Sequence, residues 1–175
     1  TDHQELLARA MLKMFSDRRR SFGNLQSKGT AHTAESAETT SLCTLDNEGN
    51  AVCLTYSNNN HSGVVIPGTG ILMNNQMALF SPWPNNPNEV SKGKRPVSSM
   101  MPSIILKNNS VKLVLGASGS TRIPTSLMQV LYRFFLQNKS LTDAITEPKL
   151  HAESETLLAD DDLHEKAIPL AKKLG

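Results

Sequence analysis

The spacing of apolar positions changes along the chain, and each change marks an element. At the start, Leu7, Ala10, Met11, Met14 and Phe15 recur at helical spacing. Asp2 stands where an N-cap belongs, Glu5 follows in the capping-box position, and Gly23 lies past the end. Residues 21–38, SFGNLQSKGTAHTAESAE, are small and polar with almost nothing to bury, so they are expected to form a mobile linker with a boundary at its end. Beyond it the period becomes two. TTSLCTL and AVCLTYS flank DNEGN and predict a β-hairpin with apolar side chains on both faces. If Asp46 pairs with Asn50 across the turn, Cys43 stands opposite Cys53.

Further along, NNNHSG reads as a loop, GILMNNQM as a short strand with a polar end, and SPWPNNPNEVSKGKRP as an irregular excursion of the kind that lies over a site. PSIILK and VKLVLGA, joined by NNS, predict a second hairpin. Its apolar run is too continuous for a sheet wetted on one side, so cover is expected on both faces. GASGSTRIPTSLMQVLYRFFLQN opens as a turn of small residues and places Pro124 in the first turn of a helix. The apolar face of that helix is Leu127, Val130, Leu131, Phe134 and Phe135. A short helix capped by Ser140 stops before Pro148, and Asp160 to Asp162 can start a last helix that Pro169 must kink or divide. Strands in the middle with helices outside predict a layered α+β domain.

Composition narrows the partners. The 175 residues amount to one domain, and 38% hydrophobic against 19% charged residues excludes wholesale disorder. Eighteen basic and 16 acidic residues give a formal charge of +2, with sparse aromatics and no basic stripe, so nucleic acid is not an expected partner. No apolar run approaches the roughly 20 residues of a bilayer span, and the opening TDHQELLARA has no charged leader followed by an apolar stretch, so the compartment is not written in the chain. Two cysteines are too few for a disulfide scaffold and wrongly spaced for structural zinc, and buried free thiols are expected, with a Cys43–Cys53 disulfide as the minority outcome. The five histidines show no HExxH or paired ligand spacing, so neither metal nor cofactor is expected.

Three places can carry chemistry. Cleavage just before Thr39, where the linker meets the first strand, would leave a threonine whose own α-amine, titrating at about 7.7–8.0, can take the hydroxyl proton. TTS reads as readily as a β-branched strand start. Gly119 and Ser120 precede a helix whose unpaired N–H groups can hold an oxyanion, or they form an ordinary turn. Ser98 and Ser99, with the polar runs Asn58 to Asn60 and Asn74 to Gln76, offer neutral donors and acceptors for a carboxylate or amide; such runs also satisfy their own backbone. Arg18 to Arg20, Lys94, Arg95 and Asp160 to Asp162 read as solvated faces or helix ends.

The succession TTSLCTLDNEGNAVCLTYSNN, GTGILMNNQM, GKRPVSSMMPSIIL and LVLGASGSTRI resembles the small subunit of γ-glutamyltranspeptidases over about residues 39–150. AMLKMFSDRRRSFGN resembles the end of that family's large subunit. The resemblance implies an N-terminal-nucleophile hydrolase fold, a four-layer αββα sandwich of which this chain holds part. It also implies a precursor that cuts itself between Glu38 and Thr39, so that residues 1–38 end the large-subunit segment and 39–175 form the catalytic segment. By this match Thr39, rather than Thr30 in its own TAH, is the nucleophile and Ser57 stands where a family threonine supports it. Asn59 and Gln76 would contact the donor's α-amino group, Ser98 and Ser99 its α-carboxylate, and Gly119 and Ser120 would present the oxyanion N–H groups. The implied substrate is a γ-glutamyl or other acyl amide. The implied partner is the remainder of the large subunit, which carries the donor-binding arginine upstream of Thr1, and the last strands would follow Gly175.

Three departures from the family pattern stand out. Leu79 replaces an acidic residue that meets the donor ammonium, Ser120 replaces the second glycine of a pair and fits if its φ is negative, and Ser41 replaces a common histidine. Leu79 leaves two other readings open: an amidohydrolase with a cephalosporin-acylase-like preference, and a non-catalytic or truncated homologue retained for binding or assembly.

Overall fold

In the computed structural model, residues 2–23 and 39–174 are described; most of the expected linker, residues 24–38, lies outside them. Helix α1 (His3–Phe22) starts where Asp2 accepts the Gln4 N–H at 3.0 Å. Glu5 does not complete a capping box: its carboxylate is taken by Arg9 and Lys173, which hold it below the usual carboxylate range, Lys173 most strongly. The buried face is Leu7, Ala8, Met11 and Phe15; Ala10 is exposed, and Ser21 and Phe22, expected in the linker, are the last helical residues. Gly23 ends the helix at φ +74°, the left-handed conformation that glycine adopts without a Cβ clash.

The first hairpin is as read. β1 (Thr39–Leu45) and β2 (Ala51–Ser57) pair antiparallel, with Cys43 opposite Cys53 and Thr39 opposite Ser57. Asp46 fixes the turn: its carboxylate accepts from Glu48 N, Asn50 N and Asn50 Nδ2 at 2.8–2.9 Å. These bonds, the Asn50 side chain first, hold its carboxyl below the usual range. The second hairpin, β3 (Ser103–Lys107) with β4 (Ser110–Leu115), turns through Asn108 and Asn109, both at positive φ. One hairpin lies against the other, joined where Cys53 Sγ donates to Leu115 O at 3.2 Å. The expectation of cover on both faces fails among the described residues. Each two-stranded sheet spends one face on the other hairpin, and the opposite faces stay open, with Leu106 61% and Leu54 54% exposed. GILMNNQM is not a strand: only Leu72 makes an isolated bridge, to Val65, before a 3-10 turn over Gln76–Leu79.

α2 (Arg122–Phe135) is followed by α3 (Leu141–Thr146), which Ser140 caps by accepting the Asp143 N–H at 3.0 Å. An unforeseen hairpin follows, β5 (Leu150–Glu153) with β6 (Thr156–Ala159), turning at Ser154 with φ +55°. A 3-10 turn over Asp161–Leu163 leads into α4 (His164–Leu174), which runs through Pro169 undivided. Pro169 removes one i to i−4 bond, and the helix continues with Leu170 buried on its far side.

The chain divides into two compact units. One comprises Thr1–Ser21 and Pro124–Gly175, and its core is Leu7, Ala8, Met11, Leu150, Ala152 and Leu170. The other, Phe22–Ile123, holds the first two hairpins and the long excursion. On α2, Leu127 and Val130 are buried as read, whereas Phe135 is exposed and three polar side chains, Thr125, Gln129 and Arg133, are buried. Thr125 Oγ1 pairs with His151 Nδ1 at 3.0 Å, and the other two are matched to backbone groups. Arg133 Nη1 donates to the carbonyls of Ala144 and Glu147 at 3.3 and 3.0 Å, which closes the C-terminal end of α3.

Gln129, 1% exposed, donates from Nε2 to Leu150 O at 2.8 Å and accepts from Leu150 N at 3.0 Å, so a helix side chain pairs with β5 as a neighbouring strand would. Gln129→Leu preserves volume but leaves both Leu150 groups unpaired, and is expected to cost roughly 2–4 kcal/mol. Denaturant titration should show a lower midpoint with an unchanged slope.

Candidate active site

Thr39 and Ser57 meet because of hairpin parity. Asp46 N donates to Asn50 O at 3.1 Å, which makes 46 and 50 a hydrogen-bonded pair. Hydrogen-bonded and open rungs alternate, so 45/51, 43/53, 41/55 and 39/57 are open rungs, where facing side chains come closest. Thr39 Oγ1 accordingly donates to Ser57 Oγ at 3.0 Å. Ser57 Oγ also accepts the Asn59 N–H at 3.0 Å, and the Ser57 carbonyl accepts from Gln76 Nε2 at 2.7 Å. Asn59, at φ +57°, donates from Nδ2 to Asn75 O at 3.1 Å. Thr39, Ser57, Asn59 and Gln76 are thus one bonded network, assembled from a strand start, a strand end, a left-handed turn and a 3-10 turn.

The network has a definite polarity. The hydroxyl of Thr39 donates its proton to Ser57 and keeps its lone pairs. Both amides spend a nitrogen donor on a backbone carbonyl, which leaves Asn59 Oδ1 and Gln76 Oε1 as acceptors. Cys43 and Cys53 lie on the same face two open rungs away, with their sulfurs 3.4 Å apart. They are not the buried thiols expected, since Cys43 is exposed and Cys53 half-buried. Desolvation, and then the neighbouring Cys53, push the Cys43 thiol above its ordinary value. Among the described residues no group of His, Cys, Asp and Glu gathers as a metal ion would require.

Ser98 Oγ accepts the Met100 N–H at 3.1 Å in a local turn, and Ser99 is half-buried beside it. A residue that sequence reading passed over connects the two places. Asn88, 1% exposed, donates from Nδ2 to Leu79 O, at the end of the Gln76 turn, at 2.7 Å. Its Oδ1 accepts from Val97 N, just before Ser98, at 3.2 Å. Its own N–H and carbonyl are bonded to Asn86 Oδ1 and Ser81 N, so every polar group of Asn88 is engaged. Within PNNPNEV nothing separates it from the turn-forming asparagines around it.

Gly119 and Ser120 form the turn between β4 and α2. Their carbonyls accept Arg122 N and Ile123 N at 2.9 and 3.1 Å and begin the helix, while among the described residues their own N–H groups have no hydrogen-bond partner. The approach to this turn touches β1: a Cβ on Gly116 would stand 1.9 Å from Ser41 Oγ and 3.1 Å from Ser41 Cβ, so a larger residue would require Ser41 to turn its hydroxyl away. The condition under which serine would fit at 120, a negative φ, is not met. Its φ is +54°, following Gly119 at +119°. The two N–H groups are presented by a left-handed turn, which costs a side-chain-bearing residue about 1–2 kcal/mol.

Two outcomes follow from this geometry. Ser120→Gly is expected to raise stability by about 1 kcal/mol, read as a higher denaturation midpoint, because it removes the left-handed penalty. Asn88→Ala is expected to cost roughly 2–4 kcal/mol by leaving Leu79 O and Val97 N without their buried partner. Amide exchange should quicken at residues 76–79 and 97–99 together.

The family model described as Gamma-glutamyltranspeptidase matches residues 3–174. The glutathione hydrolase proenzyme of Pseudomonas aeruginosa is 37% identical over 154 residues, covering 81% of this chain and 27% of that protein. The Acylase ACY 1 proenzyme of a Pseudomonas species (strain SE83) is 32% identical over 166 residues, covering 91% of this chain and 30% of that protein. The chain thus spans under a third of the length of these relatives. Among solved structures, a highly active mutant of γ-glutamyltranspeptidase from Pseudomonas nitroreducens superposes with a TM-score of 0.70 at 35% identity, covering 78% of this chain and 79% of that one. The α+β architecture is accordingly that of the N-terminal-nucleophile hydrolases, and the chain belongs to the γ-glutamyltranspeptidase family.

Proposed function

We propose that this chain carries the catalytic segment of an autoprocessed N-terminal-threonine amidohydrolase or acyltransferase that cleaves γ-glutamyl amides. The observation that carries this reading is the 3.0 Å bond from Thr39 Oγ1 to Ser57 Oγ at the first residue of β1. In the processing step the Thr39 hydroxyl attacks the Glu38 carbonyl, the acyl group shifts from nitrogen to oxygen, and water hydrolyses the ester. Residues 1–38 then end one product and 39–175 begin the other. The α-amine so released serves as the base for its own side chain.

In turnover, Thr39 Oγ attacks the amide carbonyl and the amine departs with a proton. Water or a second amine then resolves the acyl-enzyme. The developing oxyanion is met by the Gly119 and Ser120 N–H groups, whose lack of partners among the described residues supports that role. The acceptor oxygens of Asn59 and Gln76 suit the donor's α-ammonium, which offers only protons. Ser98 and Ser99 supply hydroxyls for its α-carboxylate, positioned relative to the Gln76 turn by Asn88. The remainder of the large subunit is the partner that completes the donor site.

Leu79 supports a second reading. A carboxylate at this position would give a bound ammonium a charge-assisted bond worth roughly 1.5–3 kcal/mol, and leucine offers none. An acyl group without an ammonium loses nothing there, and the relative named as an acylase covers 91% of the chain. This favours an amidohydrolase acting on other acyl amides.

Both readings share one test. Denaturing mass spectrometry of the full-length translation product is expected to show a new N-terminus at Thr39, and Thr39→Ala to abolish both it and turnover. Release from a chromogenic γ-glutamyl anilide, with an acyl adduct on Thr39, supports the first substrate class; hydrolysis of an acyl-lactam without the anilide supports the second. Turnover by a chain still intact at 38–39 would overthrow both.

A further inference from the structure

The first hairpin also holds a site that the proposed chemistry does not use: we infer that Cys43 and Cys53 close reversibly into a cross-strand disulfide when the protein meets a low-molecular-weight disulfide, such as oxidised glutathione. The register sets them directly opposite each other on an open rung. Such rungs bring Cα atoms to about 4.5 Å, inside the 4.4–6.8 Å range that a disulfide spans. Their sulfurs stand 3.4 Å apart. Reaching a bond of about 2.05 Å therefore takes side-chain rotation and no change of strand register.

The two thiols differ in access, which orders the steps. Cys43 is exposed, whereas Cys53 is half-buried with its Sγ bonded to Leu115 O at 3.2 Å. The Cys43 thiolate attacks one sulfur of the small disulfide and expels one thiolate, forming a mixed disulfide. The Cys53 thiolate then attacks the Cys43 sulfur and expels the second. Two protein thiols are oxidised, one small disulfide is reduced to two thiols, and the protons of Cys43 and Cys53 pass to the leaving groups. The product ties β1 to β2 two open rungs from Thr39 and Ser57, fixing covalently the register that brings those hydroxyls together.

The test reads thiol chemistry and stands apart from turnover. Purified protein is incubated with oxidised glutathione, alkylated, and measured by intact and peptide mass spectrometry. The expected product has lost two hydrogens, yields a peptide pair joined through Cys43 and Cys53, retains no glutathionyl group, melts higher than the reduced form and reverts with dithiothreitol. Cys53→Ser, which removes the resolving thiol, should trap one stable glutathionyl group on Cys43. Lasting glutathionyl groups on both cysteines of the unmutated protein, a disulfide-linked dimer, or thiols unreacted after prolonged exposure would overturn the inference.

Discussion

Everything in the candidate site depends on one constraint, the register of the first hairpin. Asp46 sets it from the turn, where its carboxylate gathers the Asn50 side chain and the backbone of Glu48 and Asn50. Because side chains alternate strictly along a strand, a slip of one residue would turn Thr39, Ser41 and Cys43 to the opposite face and leave Ser57 facing nothing it could serve. The turn therefore lies far along the strands from Thr39 and still decides what its hydroxyl meets. Gly116 adds a second restraint, since its missing Cβ is what lets Ser41 sit against the backbone that leads to the Gly119 turn.

Much of this was legible in the chain. Alternating residues around DNEGN determine the hairpin and its pairing, because a short turn with an acidic residue on one side and an asparagine on the other leaves few registers open. The helices announced themselves through caps and glycine stops, at Asp2, Gly23 and Ser140. What stayed hidden depends on partners distant in sequence. Nothing local predicts that Gln129 pairs with Leu150 or that Arg133 closes α3, so these polar residues read as an interruption of an apolar face. Ala8 replaced Ala10 in the core because the packing partners, not the residue types, chose the stripe. Within the unit that holds the site, Asn88 escaped notice for a similar reason: three asparagines crowd one short stretch, and only burial tells the structural one from the turn-formers.

The site residues divide along the same line. Thr39, Ser57, Asn59 and Gln76 are drawn into one network by bonds that the structure makes explicit. Val97, next to Ser98, is tied to the Gln76 turn through Asn88, and the strand that leads to Gly119 and Ser120 meets β1 where Gly116 lies against Ser41. The left-handed backbone at Ser120 was beyond sequence reasoning, because serine ordinarily avoids it; such strain is tolerated where the surrounding chain over-determines the turn.

The moored carboxamides of Asn59 and Gln76 have a consequence for the proposed donor site. With each nitrogen tied by one N–H to a backbone carbonyl, the orientation of both amides is fixed and each oxygen is left to accept, beside one further N–H on its nitrogen. Neither amide gains or loses a proton in the range where proteins survive. In the proposed donor site, selectivity at these two residues would rest on the orientation of neutral dipoles, and acidity would alter it only by changing the ligand.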